Sequence, residues 1–211
     1  YQNSDLISSE LSKNVEARVI WGGDSTVNKF KTFKTKPRCI DLAFANRYSI
    51  SLIDSNKLAK LNSKNLSNLV KKFYNDTYTM DQFGCSSPNS VFWLGKNNFA
   101  KKKFWFELRK IVNTEYNLDL SGTNKKISNL MNFTLNKNKK FKTDIKNFNL
   151  TTLKSKELSF DNFENINFGT FLEIDLDNIN LLKKYTSEKL QTITYYGTEF
   201  KIIKKFLVNN K

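Results

Sequence analysis

Apolar positions change period several times along the chain, and each change marks an element. ARVIW, Ala17 to Trp21, is a short apolar run closed by GGD, and STVNKFKTF after it suits a helix. A strand, a glycine turn and a helix are predicted there in that order. Pro37 in KTKPRCIDLAF sets a turn before a strand near Cys39 to Ala43. RYSISLID, Arg47 to Asp54, predicts a further strand. Leu58, Leu61, Leu66, Leu69, Val70 and Phe73 then recur at helical spacing, with serine and asparagine dividing them into two helices that end near Asn75. SVFWLG reads as an apolar strand. Phe99, Phe104, Leu108, Ile111, Val112 and Tyr116 form one stripe of a helix, with Lys101, Lys102, Lys103 and Lys110 largely opposite. Residues 121–148 are rich in lysine and asparagine and predict one helix, around Ile127 to Phe133, in an elaborated surface region. Order returns with a strand in GTFLEIDLD, Gly169 to Asp177, a helix in NINLLKKYTSEKL, a strand in QTITYYG and a helix in TEFKIIKKFLVNNK. Strands alternating with helices predict an α/β fold with a parallel sheet and right-handed crossovers.

Composition narrows the class. The chain has 211 residues, 39% hydrophobic and 14% aromatic, enough for a real core in one large or two small domains. No run of eighteen apolar residues occurs, so no membrane span is expected. The opening YQNSDLISSE is polar and acidic, unlike a secretory signal. Net charge is +15, which raises nucleic acid as a partner. However, the only arginines are Arg18, Arg38, Arg47 and Arg109, and the rest of the basic charge is lysine spread along the chain. That pattern reads as a solvated basic surface, and no nucleic-acid partner is expected. Cys39 and Cys85 make no disulfide framework, and the chain reads as cytoplasmic. With no histidine, neither a Ser-His-Asp nor a Cys-His pair can form within this chain, and no zinc-site spacing exists.

Two stretches remain as candidate chemistry. FGCSSPNSVFW, Phe83 to Trp93, puts a thiol among glycine, serine and proline. A structural cysteine prefers apolar neighbours, whereas a working thiol needs exposure and backbone N–H groups aimed at it. In the GGD loop, Gly22 and Gly23 let the backbone turn and approach a ligand, and Asp24 or Ser25 can cap the following helix. The loop is neither GxGxxG nor a P-loop, and on spacing alone an ordinary strand-to-helix connection is the better reading.

ARVIWGGDSTVNKF, TKPRCIDLAFANRYSISLID, KKFYNDTYTMDQFGCSSPNSVFWLG and KLQTITYYG together resemble the LuxC-type acyl-CoA reductase family, itself similar to the aldehyde dehydrogenase superfamily. The resemblance is strong over Val15 to Gly95 and Gly169 to Gly197, and weak over Lys96 to Phe168. Asp-Gln-x-Gly-Cys-Ser-Ser-Pro is its most specific block. It implies an aldehyde-dehydrogenase-like α/β architecture. Residues 1–46 would be the end of a Rossmann-type NADP-binding domain, and residues 47–211 a cysteine-bearing catalytic domain incomplete at its C-terminus. Family members are longer, so the chain resembles an internal fragment, which alone is expected to bind NADPH poorly.

The activity implied is NADPH-dependent reduction of a long-chain acyl thioester, carried on Cys85, to a fatty aldehyde. The donor would be acyl-CoA or an acyl-protein, the partners an acyl-protein synthetase subunit and further copies of the full-length chain. Small neighbours Gly84, Ser86 and Ser87 leave room for a tetrahedral intermediate, and their N–H groups can stabilise its oxyanion. Pro88 suits the first turn of a structure that starts after the cysteine. The resemblance sets Gly22, Gly23 and Ser25 at the cofactor pyrophosphate. It sets Asp41 near the general-base glutamate of aldehyde dehydrogenases, although the surrounding residues depart from the Leu-Gly-Gly pattern. Cys39 is expected to point into the sheet as core. Phe92 and Trp93 could line an acyl tunnel, but core packing is the better reading. The rivals are an aldehyde dehydrogenase, which needs a convincing base, a basic binding module, and an inactive remnant.

Overall fold

Alternation is visible at once in the computed structural model, which describes residues 4–135, 142–154 and 166–209. The chain divides into two compact units, Tyr1–Arg47 and Tyr48–Lys211. The first holds helix α1 (Asp5–Asn14), strand β1 (Ala17–Trp21), helix α2 (Asp24–Lys31) and strand β2 (Ile40–Phe44). The two strands pair in parallel, with Val19 opposite Leu42. Ile20 and Arg18 are buried, and the Arg18 guanidinium reaches the Phe30 carbonyl in α2 at 2.9 Å. Val19, Trp21, Ile40, Leu42 and Phe44 lie in alternate register positions and are exposed, with the Trp21 and Phe44 rings 5.4 Å apart. Cys39 therefore does not enter a core as expected. It is only half-buried, its N–H bound to Lys36 O at 3.0 Å, and β2 after it is exposed throughout.

The second unit begins with β3 (Tyr48–Asp54), α3 (Ser55–Leu58), α4 (Ser63–Tyr78), β4 (Pro88–Leu94), α5 (Asn98–Glu115) and α6 (Leu120–Leu135). β5 (Lys142–Asn147), β6 (Leu150–Lys154) and β7 (Thr170–Leu176) follow. A 3-10 helix (Ile179–Tyr185), β8 (Leu190–Tyr196) and α7 (Phe200–Val208) complete it. One sheet runs in the order β5-β6-β7-β4-β3-β8, and only the β5–β6 pair is antiparallel. The expected division of the leucine stretch is real: Asp54 caps α3, and Asn62 caps α4 by accepting from Asn65 N. The expected helix after β7 is only the 3-10 segment, with Tyr185 its last residue.

Both faces of the central strands are apolar, as a covered parallel sheet requires. Val91 and Trp93 of β4 join Phe73, Phe104 and Leu108 in one core. Phe92 joins Ile50, Leu52, Leu172 and Phe206 in the other. Phe92 and Trp93 are both fully buried, so they pack the two cores. Polar groups interrupt the layers; some find partners, whereas the buried Thr151 and Thr170 hydroxyls have none among the described residues. Glu173 accepts from the indole N–H of Trp93 at 3.2 Å and of Trp105, while burial pushes its carboxyl pKa up. Lys101, expected among the solvent-facing lysines, is buried and paired with Asp175 at 2.8 Å. Phe99, expected in the apolar stripe, is 77% exposed. No described helix is long and apolar enough to cross a membrane.

Lys126 on α6 is almost fully buried, and its ammonium donates to the carbonyls of Phe148 at 2.5 Å and Phe168 at 2.7 Å. Burial pulls its pKa down to about 7. A lysine whose folded pKa lies below its unfolded value makes the folded state bind fewer protons, so stability rises with pH between those two values. From pH 7 to 9 the protein is expected to gain about 2 kcal/mol relative to Lys126→Met. Urea midpoints of both proteins at the two pH values check this, and parallel curves would refute it.

Candidate functional site

The chain enters the cysteine turn through strained backbone. Asp81 and Gln82 have φ of 50° and 63°, a region that side chains other than glycine seldom occupy. Neighbours hold both in place. The Asp81 carboxylate accepts from the Tyr116 hydroxyl at 2.6 Å, and the Asp81 carbonyl accepts from Phe168 N at 3.1 Å. Burial, reinforced by that carboxylate, pushes Tyr116 far above its ordinary pKa and keeps it a donor. The buried Gln82 amide makes four hydrogen bonds. Its oxygen accepts from Gly169 N (2.8 Å) and Thr170 N (3.2 Å), and its nitrogen donates to Pro88 O (3.2 Å) and Thr170 O (3.0 Å). The turn is thereby anchored on both sides, to the start of β4 and to the start of β7.

Between these anchors the chain makes a tight turn. Ser87 N donates to Gly84 O at 2.8 Å, so that amide closes the turn and is spent as an oxyanion donor. A Cβ on Gly84 would stand 2.9 Å from Ser87 Oγ, a hydroxyl that could rotate aside. The amides of Cys85 and Ser86 have no acceptor among the described residues, and both residues are exposed. Pro88 opens a strand where the sequence suggested the first turn of a new structure.

Two register shifts meet at Ser49. Against β8, Tyr48 pairs with Leu190 and Ser49 with Thr192, leaving Gln191 as the extra residue. Against β4, Ser49 pairs with Pro88 and Ile50 with Ser90, leaving Asn89 extra. Such bulges re-aim side chains. The buried Ser49 hydroxyl donates to the Cys85 carbonyl at 2.7 Å, and the Gln191 amide nitrogen lies 3.0 Å from Cys85 Sγ. The thiol is thus exposed yet tethered, which suits attack on an electrophilic carbonyl.

Gly22, Gly23, Ser25 and Asp41 belong to the first unit. Gly22 follows β1, donates to Phe44 O at 3.2 Å, and would put a Cβ 3.0 Å from Thr26. Gly23, in place of Asp24 or Ser25, is the N-cap of α2, with no side-chain capping bond. Asp24 instead accepts from Asn46 N at 3.2 Å, and Ser25 is exposed in the first turn. Asp41 receives Arg18 Nε at 2.7 Å and Nη2 at 2.5 Å. Those bonds hold its carboxyl below the usual carboxylate range, against the opposing effect of burial. A carboxylate so held is a weak proton acceptor.

Sequence reasoning missed Ser49, Gln82 and Gln191. Gln82 lies inside the DQFGCSSP block and Gln191 inside KLQTITYYG, but neither carries a reactive group that would single it out.

A family model described as acyl-CoA reductase (LuxC) matches residues 1–194. No curated protein matches the chain. Among solved structures, lactaldehyde dehydrogenase from Escherichia coli superposes with a TM-score of 0.66 at 12% identity, over 97% of this chain and 46% of that one. For 1-pyrroline-5-carboxylate dehydrogenase from Thermus thermophilus the values are 0.68 and 9%, over 99% and 44%. An NAD-dependent benzaldehyde dehydrogenase from Corynebacterium glutamicum gives 0.62 and 9%, over 96% and 47%. The fold is that of the aldehyde dehydrogenases, and the chain spans less than half the length of these structures.

Proposed function

The chain belongs to the LuxC acyl-CoA reductase family, and on that footing we propose that its protein reduces a long-chain acyl thioester, formed on Cys85 from acyl-CoA or an acyl-protein, to a fatty aldehyde with NADPH. The observation that carries this is the tethered, exposed thiol between Ser49 and Gln191. The Cys85 sulfur bonds to the thioester carbonyl carbon, and the C=O π pair moves to oxygen. Return of that pair breaks the carbon–sulfur bond to coenzyme A, which leaves as a thiolate and takes up the proton Cys85 gave up. The amides of Cys85 and Ser86, which have no acceptor among the described residues, would supply the backbone donors to that oxygen.

Gly22, Gly23 and Ser25 suit a dinucleotide phosphate, because α2 starts behind paired glycines without a side-chain cap. A bound NADPH supplies the hydride. We assign Asp41 to holding Arg18 and not to proton transfer, so Asp41→Asn is expected to keep turnover. Residues 1–46 are read as the end of the cofactor domain and 47–211 as catalytic. An acyl-protein synthetase subunit, self-association of the intact protein and a cytoplasmic location complete the proposal.

The intact protein, given long-chain acyl-CoA and NADPH, should form aldehyde and oxidised cofactor in equal amounts. Without NADPH it should retain a hydroxylamine-sensitive acyl group. Oxidation of aldehyde to acid, with no action on acyl-CoA, would establish the dehydrogenase instead.

A further inference from the structure

Gln191 has no register partner on β3. It is the residue that the β3–β8 register skips, between Leu190 and Thr192. A regular strand would carry its side chain into the ordinary alternation of β8. The bulge instead directs the amide to Cys85 Sγ, 3.0 Å away, across 106 residues of sequence. Both residues are exposed, so substrate can approach the pair from solvent.

We propose that Gln191 is a catalytic residue of the acyl-transfer step, donating first to the Cys85 sulfur and then to the oxygen of the tetrahedral adduct. This rests on the reading of Cys85 as the acyl acceptor. As the sulfur bonds to the carbonyl carbon, negative charge leaves sulfur and appears on the carbonyl oxygen, an atom bound to the same carbon. A donor fixed on sulfur alone would hold the starting thiolate and lose its partner as the bond forms, which slows the reaction. A donor that follows the charge strengthens its hydrogen bond where the barrier lies. The Gln191 side chain has that freedom, being exposed with its amide on a flexible stem. The rest of the turn is fixed: Ser49 holds the Cys85 carbonyl, and the Ser87 amide closes the turn. Gln191 is the described side chain that donates to the sulfur, in a chain without histidine.

The test is the single-turnover rate of acyl loading from long-chain acyl-CoA, without cofactor, in the intact protein. Gln191→Ala and Gln191→Glu are compared with the parent and with Cys85→Ser. Gln191→Glu keeps the shape and replaces the N–H donor by a carboxylate. Removing one oxyanion donor slows a reaction about a hundredfold or more. Both variants are expected to lose that much in maximal loading rate, with half-saturating acyl-CoA and melting temperature unchanged. Full-rate loading by both variants, or a change in half-saturation alone, overturns the assignment. If Cys85→Ser also loads normally, the reading of Cys85 fails. If Cys85→Ser is blank while the Gln191 variants load normally, the Gln191 assignment alone fails.

Discussion

Cys85→Ser is expected to lose aldehyde formation by about a thousandfold or more, while Cys39→Ala keeps it. The two thiols control for each other. Cys85 is exposed on a turn with its carbonyl tied to Ser49 and its sulfur facing Gln191. Cys39 is half-buried ahead of an exposed strand, and the one hydrogen bond its backbone N–H makes is local, to Lys36. A serine hydroxyl is far less ionised than a thiol near neutral pH and has no base histidine here to activate it. Peptide mass spectrometry after loading with acyl-CoA should find the label on Cys85. Label on Cys39, or normal turnover by Cys85→Ser, would refute the assignment.

Gln82→Ala should destabilise the second unit by about 3 to 5 kcal/mol, a large share of the roughly 5–15 kcal/mol that holds a domain together. The loss comes from buried backbone groups. Gly169 N–H and the carbonyls of Pro88 and Thr170 all lose a partner at once. A second variant separates the amide from the backbone. Gln82→Gly loses the same bonds but relieves the φ of 63°, so it should be more stable than Gln82→Ala by about 1 kcal/mol. Denaturant midpoints for the three proteins measure both effects. A midpoint for Gln82→Ala equal to the parent's would remove the anchoring role. Acyl loading should slow in both variants, because the turn is no longer held between β4 and β7.

Strong periodicity makes the main strands legible in the sequence itself. β3, β4, β7 and β8 lie within about a residue or two of their expected bounds: the first three are buried along most of their length between turn residues, and β8, only partly buried, is rich in β-branched and aromatic residues. The β5–β6 pair is not legible, since LTTLK is short and sits in a polar stretch. Lys101 misleads because periodicity counts a lysine as polar, whereas Asp175 on β7 lets it lie inside. The cysteine is legible as chemistry and its turn as small residues. What surrounds the thiol is not, because Ser49 and Gln191 reach it through register shifts, and one-residue slips between distant strands leave no mark in local sequence.

The β3–β8 pairing bears on how the chain folds during synthesis. Central strand β3 can pair with β4 soon after both leave the ribosome, but β8 is made far later, and Gln191 lies 106 residues beyond Cys85. The entropic cost of closing so long a loop grows with the logarithm of its length and must be met before the contacts return anything. The thiol turn therefore gains its second anchor only when the start of β7 is made, and its last neighbour arrives with the docking of β8. A nascent chain halted before Leu190 would display an anchored cysteine that lacks its amide donor. Such a chain should accept a small alkylating reagent at Cys85 well before it gains the ability to take an acyl group.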